Sequence, residues 1–148
     1  MRAERTMCEI VLQNPRRYRA LEVASLEAWL GRVVADLAPE ATSFAVRLVD
    51  DEEMRQINHQ YRDRDVPTDV LSFPGEESAE GRHLGDVAVS IPTARQQAQK
   101  RGHSLQRELR LLLVHGILHC IGYDHEADAG EMDRLEAQMR RRWVADVD

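Results

Sequence analysis

Cysteine is scarce in this chain: Cys8 and Cys120 are the only two in 148 residues, far apart and in no C-x-x-C motif. That excludes a disulfide framework and a cysteine-rich structural zinc site, and in a reducing compartment both are expected as free thiols. Long hydrophobic runs are lacking as well. No segment approaches the roughly 18 apolar residues of a membrane span, and MRAERTMCEIVLQN at the start holds no apolar stretch of signal-peptide length. A cytoplasmic protein with no membrane partner is therefore expected. Repeats, linkers and low-complexity segments are absent, so residues 1–148 are read as one domain, long enough to bury a core without staples. Lysine is nearly missing: all of the 20 basic residues except Lys100 are arginine. A net charge of −6 argues against a non-specific nucleic-acid binder. It leaves local arginine surfaces open, and arginine suits phosphate because its planar fork binds it bidentately. The clusters Arg16, Arg17, Arg19 and Arg140, Arg141, Arg142 read as solvated faces.

What the chain does have is three histidines in VHGILHCIGYDHE: His115, His119 and His125. The first two are four residues apart on a predicted helix, which puts both imidazoles on one face about 5–6 Å apart at Cβ. Gly122 permits a sharp exit from the helix, so the chain can turn back and bring His125 toward the same point. Three neutral imidazoles and an open fourth position describe a catalytic-type zinc site. His115, His119, Gly122 and His125 also match the ligand positions of the metzincin pattern H-E-x-x-H-x-x-G-x-x-H. The glutamate that acts as general base in those peptidases is replaced here by Gly116. Cys120 could be a fourth ligand, but neighbours on a helix point about 100° apart, which favours a buried structural role.

The periodicity predicts a strand at 7–13, a helix at 19–37 and an alternating strand at 43–49. Asp50 is the expected N-cap of a helix whose first turn is Asp51, Glu52 and Glu53 and which ends near Tyr61. A polar turn leads into the strand VLSF, residues 75–83 read as an exposed loop, and LGDVAVSI is a further strand. A helix starts at Pro92, Ser104 caps the helix that bears His115 and His119, and a last helix places Met132, Leu135, Met139 and Trp143 on one face. The order β-α-β-α-β-β-α-α-α suggests an α/β fold with a small mixed sheet of about four strands packed with helices. The strands at 69–73 and 84–91 suit an antiparallel hairpin, and the helical crossovers could be parallel.

A second constellation, NHQYRDRDVPTDVLSFP at 58–74, is a dense polar segment at a strand mouth. Arg62 is its functional candidate, for binding phosphate or offsetting transition-state charge; the rest is equally well read as turn chemistry. Asp86 or Asp124 could orient a metal-bound histidine, or simply cap a loop. Met132 is expected to be core, and His59, His83 and His103 surface residues.

HGILHCIGYDH, Met132, NHQYRDRDVPTDVLSFP and LGDVAVSI, in this order and spacing, resemble the bacterial YbeY family of metal-dependent endoribonucleases over about residues 44–140. Cys120 departs from the family's usual leucine. The resemblance implies an α/β fold, one zinc ion held by His115, His119 and His125, and Arg62 as a functional residue of the RNA site. It implies 3′-end maturation of small-subunit ribosomal RNA and ribosome quality control, with the small subunit, ribosomal proteins and an assembly GTPase as partners. The expected chemistry is metal-assisted phosphodiester cleavage with Arg62 and His115 as catalytic residues, the attacking group left open between a water and the RNA 2′-hydroxyl. The rivals are a non-catalytic ribosome-assembly factor with a structural metal, and a metalloprotease.

Overall fold

In the computed structural model of the chain, residues 8–14, 22–62, 68–123 and 128–147 are described, the Arg62 side chain excepted. Short runs rich in Val, Ile, Leu and Phe give β1 (Glu9–Gln13) and β2 (Ser43–Val49), with α1 (Val23–Leu37) between them. α2 (Asp51–Arg62) leads to β3 (Val70–Pro74), β4 (Glu77–Ser78) and β5 (Gly81–Ser90). Three helices close the fold: α3 (Ile91–Arg101), α4 (Leu105–Ile121) and α5 (Glu131–Trp143).

The main sheet runs β1-β2-β5-β3, with β4 appended to β5. The β1–β2 and β2–β5 pairs are parallel and β3–β5 is antiparallel, as the hairpin and the helical crossovers suggest. The segment 75–83, expected to be a loop, is instead partly paired: Glu77 and Ser78 face Arg82 and Gly81, so β5 begins earlier than its apolar residues indicate. Backbone pairing, not side-chain burial, holds these polar residues in strand. The predicted helix at 19–37 is seen from Val23, and residues 15–21, with Arg16, Arg17 and Arg19, lie outside the described residues.

Local signals set the helix starts. The Asp50 carboxylate accepts from the Glu53 amide at 2.8 Å while the Asp50 amide donates to Glu53 at 3.3 Å, a reciprocal capping box. Ser90 and Ser104 cap α3 and α4 by accepting from the amides of Thr93 and Arg107. α4 stops at Gly122, whose φ of 118° suits glycine.

Each strand sends alternate residues to opposite faces. Phe44, Val46 and Leu48 of β2 and Val87 and Val89 of β5 form the main core with α1, α3, α4 and α5. Val49, Leu71 and Ala88 face the other way and are covered by Met54 and Ile57 of α2. Helices thus sandwich a mixed sheet. Met132 is wholly buried in the main core, the plain packing role expected of it. Among the described residues no helix is long and apolar enough to cross a membrane.

Candidate metal centre

α4 is buried on nearly all sides. From Arg107 to Cys120 only Arg107, Leu111, His115 and His119 are not buried, one stripe at intervals of four. Both histidines of the predicted pair therefore face the same narrow opening. It is a cleft of about 210 Å³ beside the edge strand β3, lined by Val70, Leu71, Ser72, Pro74, His115 and His119.

The two imidazoles point their Nε2 atoms at each other, 3.1 Å apart. Behind them, His115 Nδ1 lies 3.0 Å from a carboxylate oxygen of Glu136 on α5. That contact fixes the tautomer: Nδ1 carries the proton that the carboxylate accepts, and the Nε2 lone pair of neutral His115 faces His119. The hydrogen bond that His115 donates to Glu136 raises the His115 pKa above the ordinary imidazole value, burial opposes it, and the charges of Glu136 and Asp69 add to the rise.

This arrangement fits a metal ion. Two nitrogens bound to one tetrahedral zinc at about 2.0–2.1 Å are about 3.3 Å apart, close to the observed spacing, and a carboxylate on the remote ring nitrogen is the usual support of a ligating histidine. Among the described residues no group of three His, Cys, Asp or Glu side chains is set to hold a metal. His125 and Asp124 lie outside them. So do Arg64, Asp65 and the side chain of Arg62, which is the last residue of α2.

The model of the endoribonuclease YbeY family matches residues 12–144. This chain belongs to the YbeY family. Among YbeY relatives, the endoribonuclease YbeY of Picosynechococcus is 40% identical, covering 88% of this chain and 90% of its own. That of Aquifex aeolicus is 44% identical over 76% of each. The solution structure of TM1509 from Thermotoga maritima superimposes with a TM-score of 0.54 at 28% identity, covering 93% of this chain and 91% of that one.

The position that sets this YbeY chain apart from the metzincin pattern has a packing reason. A Cβ at Gly116 would lie 2.8 and 3.0 Å from the Val87 methyls and 3.2 Å from Ser72 Oγ. α4 lies so close to the sheet here that a glutamate side chain has no room. Cys120, weighed as a fourth ligand, is buried with its Sγ 4.0 Å from the Phe73 carbonyl oxygen. Burial, with the Asp86 charge adding, pushes its thiol up to about 12, which suits a buried structural thiol.

Other expectations shift. Asp86 meets His83 Nε2 at 3.2 Å, and His83 Nδ1 is 2.7 Å from Ser43 Oγ, so Asp86 supports neither His115 nor His119 and His83 is partly buried in a small network. His103 is no plain surface residue: its Nε2 is 2.7 Å from Glu108, a carboxylate buried completely and also held by Arg101 at 2.7 Å. Asp69 takes the turn role, accepting from its neighbour Val70 at 2.8 Å and from Gln97 at 3.2 Å. Glu136 is the residue that sequence reasoning missed. Its signal was faint: a helical glutamate one turn after Met132, 21 residues from the histidine it supports.

Proposed function

We propose that this chain is a single-domain, zinc-dependent endoribonuclease of ribosomal RNA maturation. The observation that carries the reading is the pair of Nε2 atoms 3.1 Å apart, backed by Glu136, on the partly exposed stripe of an otherwise buried helix. The family match supports the activity, since its members bear the name endoribonuclease.

His115, His119 and His125 are the ligand set: His115 and His119 converge, and Gly122 ends α4 before His125. Bound there, zinc supplies Lewis acidity to a phosphodiester. The chain does the rest. Glu136 holds His115 in the tautomer whose Nε2 faces inward and strengthens it as a donor. Arg62, at the end of α2 just before the polar segment that leads to β3, grips the phosphate and offsets the charge that develops on it. His115 and Arg62 are the proposed catalytic residues. β3 walls the cleft with Val70 and Ser72. The lack of space at Gly116 leaves the peptidase reading without its general base. Substrate is single-stranded RNA at the 3′ end of small-subunit ribosomal RNA, which makes the small subunit, its proteins and an assembly GTPase the partners, in the cytoplasm.

The test is cleavage of a small-subunit ribosomal RNA 3′ fragment presented with ribosomal particles, by wild type, His119→Ala and Arg62→Ala, with folding checked by circular dichroism. Specific cleavage lost in both folded variants supports the reading. Cleavage that persists in both identifies a contaminating nuclease and sinks it.

A further inference from the structure

The partly exposed stripe of α4 does not stop at the histidines. It continues N-terminally through Leu111 to Arg107, and there opens into a second pocket of about 340 Å³ lined by Arg101, His103, Arg107, Leu111 and Arg140. Two neighbouring elements flank this stripe. Glu136 of α5 stands at His115, and Arg140, one turn further along α5, stands at Leu111. Arg101 comes from the last turn of α3. From Arg107 to His115 is eight residues, about 12 Å along the helix.

The pocket is cationic by construction. Three guanidinium groups and an imidazole line it. Glu108 lies beneath, fully buried, and is taken up by Arg101 and His103. Arg107 is anchored by donating from Nη1 to the carbonyls of Val147 at 2.9 Å and Val144 at 3.3 Å, which fixes its guanidinium at the mouth. Arg140 is exposed. One carboxylate against three arginines leaves a surplus of positive charge in a chain whose net charge is −6. A surplus held in a fixed pocket, on the same partly exposed stripe of α4 as the histidine pair, suits an anion that is part of a longer molecule.

We infer that Arg101, Arg107 and Arg140 form a phosphate-binding subsite for the RNA substrate, two turns of α4 away from the histidine pair. The inference rests on the nuclease reading and adds to it where the strand runs: along the α4 stripe, beside α5. A span of about 12 Å corresponds to three or four stacked nucleotides at about 3.4 Å each. Phosphate contacts fix register and carry no sequence information, so the subsite sets how the strand lies, not which base is chosen.

Arg140 is the residue to change, because it is exposed and takes no part in holding Glu108. Binding of a labelled single-stranded RNA is followed by fluorescence anisotropy over a range of salt concentrations. Each phosphate contact on single strands contributes about 0.7 to the slope of log K against log salt. Arg140→Gln is expected to flatten that slope by about 0.7 and to weaken binding about three- to fivefold near 0.15 M salt. Arg140→Lys restores most of the slope, and Arg140→Glu weakens binding further. Arg141→Gln removes the same charge from the same helical turn outside the pocket, and leaves the slope unchanged. If wild type binds RNA and Arg140→Gln keeps its slope, or if Arg141→Gln flattens it equally, the subsite is wrong and the nuclease reading stands. A wild type that neither binds nor cleaves RNA overturns both.

Discussion

Alanine at Gly116 tests the close approach of α4 to the sheet. Inside a helix, glycine to alanine contributes about 1 kcal/mol of stability through propensity alone. At 116 the new methyl would meet the Val87 methyl carbons at 2.8 and 3.0 Å and Ser72 Oγ at 3.2 Å. Relaxed carbon contacts are about 3.5–4.0 Å, so the methyl intrudes by roughly half an ångström or more. Both neighbours stand on paired strands, β5 and β3, which cannot move apart cheaply. Overpacking of this kind costs about 1–3 kcal/mol. Set against propensity, Gly116→Ala should destabilise by about 0–2 kcal/mol. Gly31 of α1 is the matched control, because a Cβ there meets nothing within 4 Å. Gly31→Ala should stabilise by about 1 kcal/mol. The difference between the two variants removes the propensity contribution and leaves the packing cost. At this chain length 1 kcal/mol moves Tm by about 2–4 °C. Thermal melts followed by circular dichroism should therefore show Gly31→Ala above wild type and Gly116→Ala at or below it. Equal gains in the two variants would refute the argument that Gly116 is set by contact with the sheet.

Glu136→Gln keeps the shape of the support behind His115 but weakens its hold, and should lower metal affinity about 10- to 100-fold with the fold retained; titration with a chelator-buffered metal checks this, and unchanged affinity would show that Glu136 supports no ligand. Cys120 should resist a thiol-alkylating reagent at neutral pH in the native state while Cys8, less buried, reacts first; mass spectrometry of the labelled peptides reads the order, and equal labelling contradicts it. The same thiol gives a pH dependence whose sign follows from its raised pKa. Its contribution to stability is fully present below the ordinary value of 9.0 and is lost as pH rises toward about 12, because the unfolded thiol ionises first. Urea midpoints should fall more steeply over that range for wild type than for Cys120→Ala, and parallel curves would count against it.

The elements were legible where local chemistry decides them. SFAVRLV was legible as a strand because Phe44, Val46 and Leu48 face the main core while Ser43 and Arg47 stand on the other face. Asp50 and Ser104 were readable as caps because capping acts over three residues. The histidine pair was readable for the same reason, since a spacing of four on a helix fixes a shared face. What was hidden depends on contacts between elements. Glu136 meets His115 only because α5 folds back along α4. His103 reads as a surface residue until the end of α3 brings Arg101 to the same buried Glu108. The pairing of Glu77 and Ser78 with β5 is backbone chemistry and leaves no hydrophobic pattern. Gly116 showed as a missing glutamate, and only the position of Val87 and Ser72 supplies its reason.

The most direct test of the metal-supported nuclease is to measure bound metal and RNA cleavage in the same preparations of wild type, His115→Ala, His119→Ala and His125→Ala. The account predicts a single equivalent of metal and specific cleavage in wild type, and loss of both in each folded variant. Folded histidine variants that retain metal and cut RNA at the wild-type rate would contradict it.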